Sequence, residues 1–427
     1  MKKSNDLKSI KYWGASTAAH QVEGGNHNQW SVWELENATE LAKGAPDKYA
    51  HWLPSWDEIK SEATKPENYV SGIAVDHYNC YEEDFDLLTS LNMNAFRFSI
   101  EWSRIEPEEG KWDESEIEHY RKYLKALKKR KIEPFVTLWH WTMPTWFVEM
   151  GGFEKRSNVK LFIRFAEKIT QELGEYFTYL TVFNEPNVYM SNGYITGQWP
   201  PAKRNRPLGI LVYQNLINAH KRSYKLIKRI KPNLLVGTAN QAAYVDEKNN
   251  KMATKVGAWG QRTFWNHWFL DRTKRYNDFI GLNYYFTDHW DGTRWEGGVK
   301  PRPNNENKRV SDYGWQMLPA NIQFVIEGLY ERHGVPILIT ENGVADKDDK
   351  YRKWWLEETL EAMNKAIDNG ADVKGYFHWS LLDNFEWADG FWPRFGLVEV
   401  DRKTLTRTVR PSAKWFAKQI ETIRKNV

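Results

Sequence analysis

Eight times along this chain a short, apolar, strand-prone run gives way to an amphipathic helical stretch. That alternation constrains the fold more than any other feature of its 427 residues. The strand-like runs lie at residues 11–17, 93–100, 133–140, 179–185, 234–241, 278–285, 336–341 and 373–380. The helical patterns lie at residues 78–91, 114–131, 159–174, 208–230, 258–272, 320–334, 351–369 and 412–425. Gly334 and Gly370 stand where helix C-termini are expected, each just ahead of a strand. Eight strand–helix repeats favour an α/β fold closed on itself, a single (β/α)8 TIM barrel spanning residues 1–427, over an open doubly wound sheet. An open nucleotide-binding sheet usually carries a glycine-rich turn after its first strand. The segment Tyr12-Trp13-Gly14-Ala15-Ser16-Thr17 offers none.

Two stretches are too long for ordinary connections: residues 26–72 after the first strand and residues 287–314 after the sixth. In a barrel these long βα loops fall on the C-terminal face, where substrates bind, so they are expected to form a rim and a lid. The first is rich in tryptophan (Trp30, Trp33, Trp52, Trp56).

Composition narrows the partners. Sixty Lys and Arg against 56 Asp and Glu leave a formal charge of +4, too little to argue for nucleic acid. One cysteine, Cys80, excludes an internal disulfide framework and a thiolate metal cluster. The eleven histidines are scattered and form no His-Glu-x-x-His, so no metal site is expected. No apolar run reaches about 18 residues and the first ten residues lack an apolar signal core, which predicts a cytoplasmic protein with no membrane contact. The oligomeric state is not readable from this sequence.

Barrel chemistry gathers at the carboxyl ends of the strands. Seven of the eight expected strands deliver polar or aromatic groups there. They include Gln21, Arg97, His140, Asn184 with Glu185, Asn283 with Tyr285, Glu341, and Trp379 followed by Glu386 and Trp387. Taken singly each has a plainer reading: Asn-Glu-Pro as a helix cap, Glu-Asn-Gly as a turn, His140 as a core histidine. Together they make an inventory for sugars, with carboxylates, amides and an imidazole for hydroxyls and indoles for the apolar ring face. Glu185 and Glu341, ending the fourth and seventh strands, are the pair that glycoside cleavage needs: one protonates the leaving oxygen, the other attacks the anomeric carbon or activates water.

Five segments then carry a resemblance. Thr181-Val182-Phe183-Asn184-Glu185-Pro186 and Ile339-Thr340-Glu341-Asn342-Gly343 resemble the two signature motifs of glycoside hydrolase family 1. The segments at residues 13–24, 96–104 and 378–387 resemble its remaining motifs, in order and across nearly the whole chain. The resemblance implies a cofactor-independent retaining exo-β-glycosidase with Glu185 as acid/base and Glu341 as nucleophile. Arg97 and Asn283 would support the nucleophile, with help from the Tyr285 hydroxyl. Gln21, His140, Asn184, Glu386 and Trp387 would hold the sugar. Trp379 would floor its pocket, Phe395 would close one side, and Trp315 would face the aglycone.

The same resemblance sorts the activities. A carboxylate at Glu386 suits a neutral sugar and repels a 6-phosphate. The expected substrates are therefore small β-glycosides or short oligosaccharides with terminal β-glucosyl units, and also β-galactosyl or β-fucosyl units. The alternatives are a transglycosylating or aglycone-specialised enzyme of the same fold, or a non-catalytic glycan-binding protein. One departure stands out: after His140-Trp141 the family commonly has Asp, and this chain has Thr142.

Overall fold

A computed structural model describes residues 6–290, 295–296 and 309–425. Eight parallel strands close into a barrel in chain order. They are β1 (Tyr12–Ser16), β2 (Ala95–Ser99), β3 (Glu133–Trp139), β4 (Tyr179–Asn184), β5 (Leu235–Gln241), β6 (Phe279–Tyr284), β7 (Ile337–Asn342) and β8 (Val373–Trp379). Each coincides with an expected run to within two residues at either end. Their near-continuous apolar character reflects burial on both faces, by helices outside and side chains within.

One residue from every strand meets at the lower end of the barrel. Tyr12, Ala95, Phe135, Tyr179, Leu235, Phe279, Leu338 and Phe377 form a single apolar plug. Phe135 is its centre, stacked on Tyr179 at 4.3 Å and edge-on to Tyr12 and Phe377 at 5.0 and 4.6 Å. With that end filled, only the C-terminal end is left for polar chemistry. Glycine is required where strands approach closely: a Cβ on Gly14 would lie 2.1 Å from the carbonyl oxygen of Ala95.

The outer helices follow the expected pattern. His77–Ser90, Glu114–Lys129, Val159–Leu173, Arg206–Ile230, Ile322–His333, Arg352–Asp368 and Pro411–Lys425 all match. Gly334 and Gly370 take the left-handed backbone that ends a helix. The helix expected at 258–272 instead begins at Met252 and is interrupted by a π-helical turn over Thr263–His267. Its first turns expose Met252, Val256 and Trp259 to solvent, which hides them from an amphipathic reading.

The first insertion is helical rather than a plain loop. Gln29–Tyr49 and Trp56–Ala63 form it, and Asn28 caps the longer helix in a reciprocal capping box with Ser31. Trp30 and Trp33 pack towards the barrel mouth, whereas Trp52 and Trp56 join a satellite cluster around Trp392. Of the second insertion, Thr287–Trp290 pairs with Tyr244–Glu247 and with Trp295–Glu296. Residues 291–294 and 297–308 of the expected lid lie outside the described residues. No helix among the described residues is long and apolar enough to cross a membrane.

Candidate active site

At the open end of the barrel β4 finishes at Asn184, and the backbone turns sharply at Glu185, whose φ of 43° is left-handed. Such a backbone is unfavourable for a residue with a Cβ and survives only where the surroundings fix it. Here the Glu185 N–H donates to Ala239 O at 2.8 Å, and Pro186 starts the helix Pro186–Met190 from its favoured first position. Across the mouth Glu341 sits within β7. A Cβ on Gly343, just beyond it, would come within 1.9 Å of the Trp379 carbonyl oxygen, so the Glu-Asn-Gly run ends in glycine for lack of room.

The two carboxyls share Asn283 as a hydrogen-bonding neighbour, and Glu341 has two further partners of its own. Glu341 Oε1 accepts from Arg97 Nη1 at 2.5 Å and Oε2 accepts from the Tyr285 hydroxyl at 2.7 Å. Glu185 Oε1 accepts from the neutral amide of Asn283 at 2.8 Å. That amide cannot turn over, because its Oδ1 accepts from Thr340 Oγ1 at 2.6 Å. Burial and the nearby Glu341 charge hold the Glu185 carboxyl well above the ordinary carboxylate range. Burial also raises Glu341, but Arg97, the Tyr285 hydroxyl and the Asn283 amide work against it. Two neighbouring buried carboxyls cannot both ionise cheaply, and Glu341 is the one whose anion a cation and a hydroxyl favour.

Around them the remaining expected residues converge. Asn184 Oδ1 accepts from Arg97 Nη2 at 2.6 Å and from Asn283 at 3.1 Å, so its Nδ2 is the donor to His140 Nε2 at 2.9 Å. His140 therefore carries its proton on Nδ1, and burial beside Arg97 keeps the imidazole neutral. Gln21 Nε2 donates to Phe385 O at 2.7 Å, and Trp379 Nε1 donates to Glu386 Oε1 at 3.0 Å. Burial pushes the Glu386 carboxyl up to about 8. Trp387 is stacked over His140 at 6.0 Å and His20 at 5.6 Å, with Trp30, Trp141 and Trp199 packed around it. Trp315 lies between Tyr285, Tyr313 and Phe395.

The partner of Thr142, and two residues the sequence did not mark, complete the site. Thr142 donates its hydroxyl to Glu101 Oε2 at 2.8 Å, so the departure at this position is filled by a neutral donor to a buried carboxylate. Asp389, three residues beyond Glu386, accepts from the hydroxyls of Tyr49 and Tyr313 and from Lys48 Nζ, tying both insertions to the Glu386 loop. Gln241, closing β5, points at the same mouth although no polar group was expected from that strand; its signal was only its place at a strand end. Among the described residues no group of three or more His, Cys, Asp or Glu is arranged to hold a metal ion.

Comparison with known proteins agrees along the whole length. The sequence profile described as glycosyl hydrolase family 1 matches residues 4–277 and 271–425. The chain is similar to beta-glucosidase A of Acetivibrio thermocellus, 28% identical with 96% of this chain and 97% of the relative covered. It is 30% identical to beta-glucosidase 42 of Arabidopsis thaliana over 97% of this chain and 94% of that one. Among solved structures it resembles the beta-glycosidase from Pyrococcus horikoshii, with TM-score 0.83, 34% identity, and 97% and 94% of the two chains covered.

Proposed function

The chain belongs to glycosyl hydrolase family 1, and from that premise we propose that it is a retaining exo-β-glycosidase acting through Glu341 as nucleophile and Glu185 as acid/base. It is an O-glycosyl hydrolase of the β-glucosidase type. The observation that carries the finer reading is the unequal treatment of two neighbouring carboxyls. One has both oxygens held by a cation and a hydroxyl, and the other is held by a neutral amide.

In the first half-reaction Glu341 attacks the anomeric carbon while Glu185 gives its proton to the glycosidic oxygen. The bond to the leaving group breaks, an alcohol departs, and a glycosyl ester forms on Glu341. Esterification removes the Glu341 charge, one of the influences that holds the Glu185 pKa up, so Glu185 then ionises more readily. As a carboxylate it takes a proton from water, the water oxygen attacks the anomeric carbon, and the ester bond to Glu341 breaks. Two inversions at one carbon return the original configuration.

The sugar-facing groups follow the same logic. Asn184, fixed by Arg97 and Asn283, presents its amide where the 2-hydroxyl of a bound ring would lie. His140, Gln21, Glu386 and Trp387 surround the other hydroxyls, Trp379 forms the floor, Phe395 closes a side, and Trp315 faces the aglycone. Glu386 suits a neutral glycone, with glucosyl units preferred and galactosyl or fucosyl units accepted. Anomer-resolved NMR of the first product from a chromogenic β-glucoside tests the mechanism. The β-hemiacetal is expected first, and an initial α-hemiacetal would rule out the double displacement.

A further inference from the structure

Residues 186–245 hold nine Lys and Arg and no Asp or Glu, in a chain whose 60 Lys and Arg nearly balance 56 Asp and Glu. Elsewhere cations on the outer helices reach carboxylates, as Arg121 does with Glu118 and Glu172, and Lys168 with Glu114 and Glu172. The helix Arg206–Ile230 departs from that pattern. It carries Arg206, Lys221, Arg222, Lys225, Lys228 and Arg229, and among the described residues only Lys228 of these reaches a carboxylate, that of Asp278.

Lys221, Arg222 and Lys225, with Asn218 from the same helix, line a cavity of about 230 Å³ on the outer wall of the barrel. Two other elements contribute: Arg156, just ahead of the helix Val159–Leu173, and Tyr276, just ahead of β6. His220 ties the helix to the Tyr276 side, its Nε2 donating to Tyr276 O at 2.7 Å. The Tyr276 ring lies 5.5 Å from Lys225 Nζ and 5.8 Å from Lys221 Nζ. Asn218 Oδ1 accepts from Gln214 at 3.5 Å, which leaves its Nδ2 as a donor.

Four cations thus gather at one concavity, and no carboxylate is among its lining residues. Lys221 and Lys225 are four apart on the helix, and Arg222 and Lys225 three apart, spacings at which like charges repel and weaken a helix. A concave surface of one sign focuses the field and concentrates counter-ions. The two guanidinium groups offer planar forks that match phosphate oxygens, and the two ammonium groups neutralise further charge. A monocarboxylate would leave most of that charge uncompensated, and a multivalent phosphate would not. The cavity is smaller than the roughly 300–1,000 Å³ of a drug-sized ligand's pocket, which suits a small anion rather than a polymer.

We propose that this cavity binds a small soluble compound bearing a multivalent phosphate group. Arg156, Arg222 and Asn218 donate to its oxygens, and Lys221 and Lys225 balance its charge. None of these residues belongs to the mouth of the barrel, so the site stands apart from the reading given to Glu185 and Glu341. A bound phosphate links the start of the helix Val159–Leu173 to the helix Arg206–Ile230, and it stabilises the folded chain by mass action.

Calorimetric titration of the full chain with pyrophosphate, at ionic strength held constant with sodium chloride, reads the affinity. Saturable binding at one site is expected. Replacing Arg222→Gln together with Lys225→Gln should weaken it about tenfold or more, as loss of charge-assisted hydrogen bonds predicts. Arg156→Gln, on a separate element, should also weaken it. These three side chains are exposed, so the variants keep the fold. A control pair, Lys365→Gln with Lys425→Gln, removes the same charge from exposed ion pairs elsewhere and should bind as wild type does. No saturable binding by wild type, or equal affinity in the cavity variants and the control, would overturn the proposal. Co-sedimentation with phosphatidylglycerol vesicles separates the other source of phosphate. Vesicle binding without pyrophosphate binding would also overturn it, because the ligand would then be a lipid surface.

Discussion

Arg97 Nη1 lies 2.5 Å from Glu341 Oε1, and the two side chains are 1% and 5% exposed. The second arm of the same guanidinium holds Asn184. A single arginine thus orients both the proposed nucleophile and the amide proposed to meet the 2-hydroxyl. Removing one member of a sheltered ion pair leaves an uncompensated charge and costs about 3–5 kcal/mol. Arg97→Met is expected to lower kcat on aryl glucosides at least about a hundredfold. Arg97 is also the main influence lowering the Glu341 pKa, so its loss should move the acid limb of the kcat/KM profile to higher pH. A profile with an unmoved acid limb would contradict the role given to Arg97.

Glu341→Gly should abolish hydrolysis while leaving space for a small anion. Added azide is expected to restore turnover of 2,4-dinitrophenyl β-glucoside and to give the α-glucosyl azide by one inversion. Absence of rescue, or a β-azide, would count against Glu341.

Glu185→Ala removes the proton donor, so its effect should depend on the leaving group. The first step on 4-methylphenyl or alkyl glucosides is expected to slow by about 10²–10⁴, and that on dinitrophenyl glucosides far less. Equal losses across the series would argue that Glu185 is not the acid.

Glu386 couples the site to stability. Its folded-state pKa is raised from 4.5 to about 8, so between those values the folded protein holds a proton that the unfolded chain has released. Stability from this group is present below pH 4.5 and is lost as the pH rises through about 8. Glu386→Gln has no such proton to lose. Its Tm relative to wild type should climb between pH 5 and pH 8, and a difference independent of pH would refute the shift.

Thr142→Asp installs the family's usual residue opposite Glu101, whose Oε1 already serves Ser103 and Asn28. Two buried carboxyls at this distance cannot both ionise cheaply. The variant should melt lower than wild type, with a larger deficit at pH 8 than at pH 5. An unchanged Tm at both pH values would show that the loop accepts a second acid.

The barrel was legible because its strands are buried on both faces and therefore read as unbroken apolar runs. Their ends were less so, because hydrogen-bond pairing ends a strand. Glu185 reads as the last residue of its strand and lies one residue beyond it, in a left-handed turn that residue type does not announce. The helix Gln29–Tyr49 stayed hidden because Gly44 and Pro46 interrupt its helical signal, although Glu34, Ala38, Ala42, Ala45 and Tyr49 make a buried stripe. The thirteen residues expected at the site were found through strand ends and motifs, and those marks name which groups meet. They do not give the partner of each oxygen, which is how Gln241, Asp389 and the bond from Thr142 to Glu101 went unread.

Asp389 has the widest reach of these three. Tyr49 and Lys48 come to it from one excursion of the chain and Tyr313 from the other, and Glu386 lies three residues away. A change in either excursion is therefore expected to be felt, through one small acid, at the loop proposed to hold the sugar.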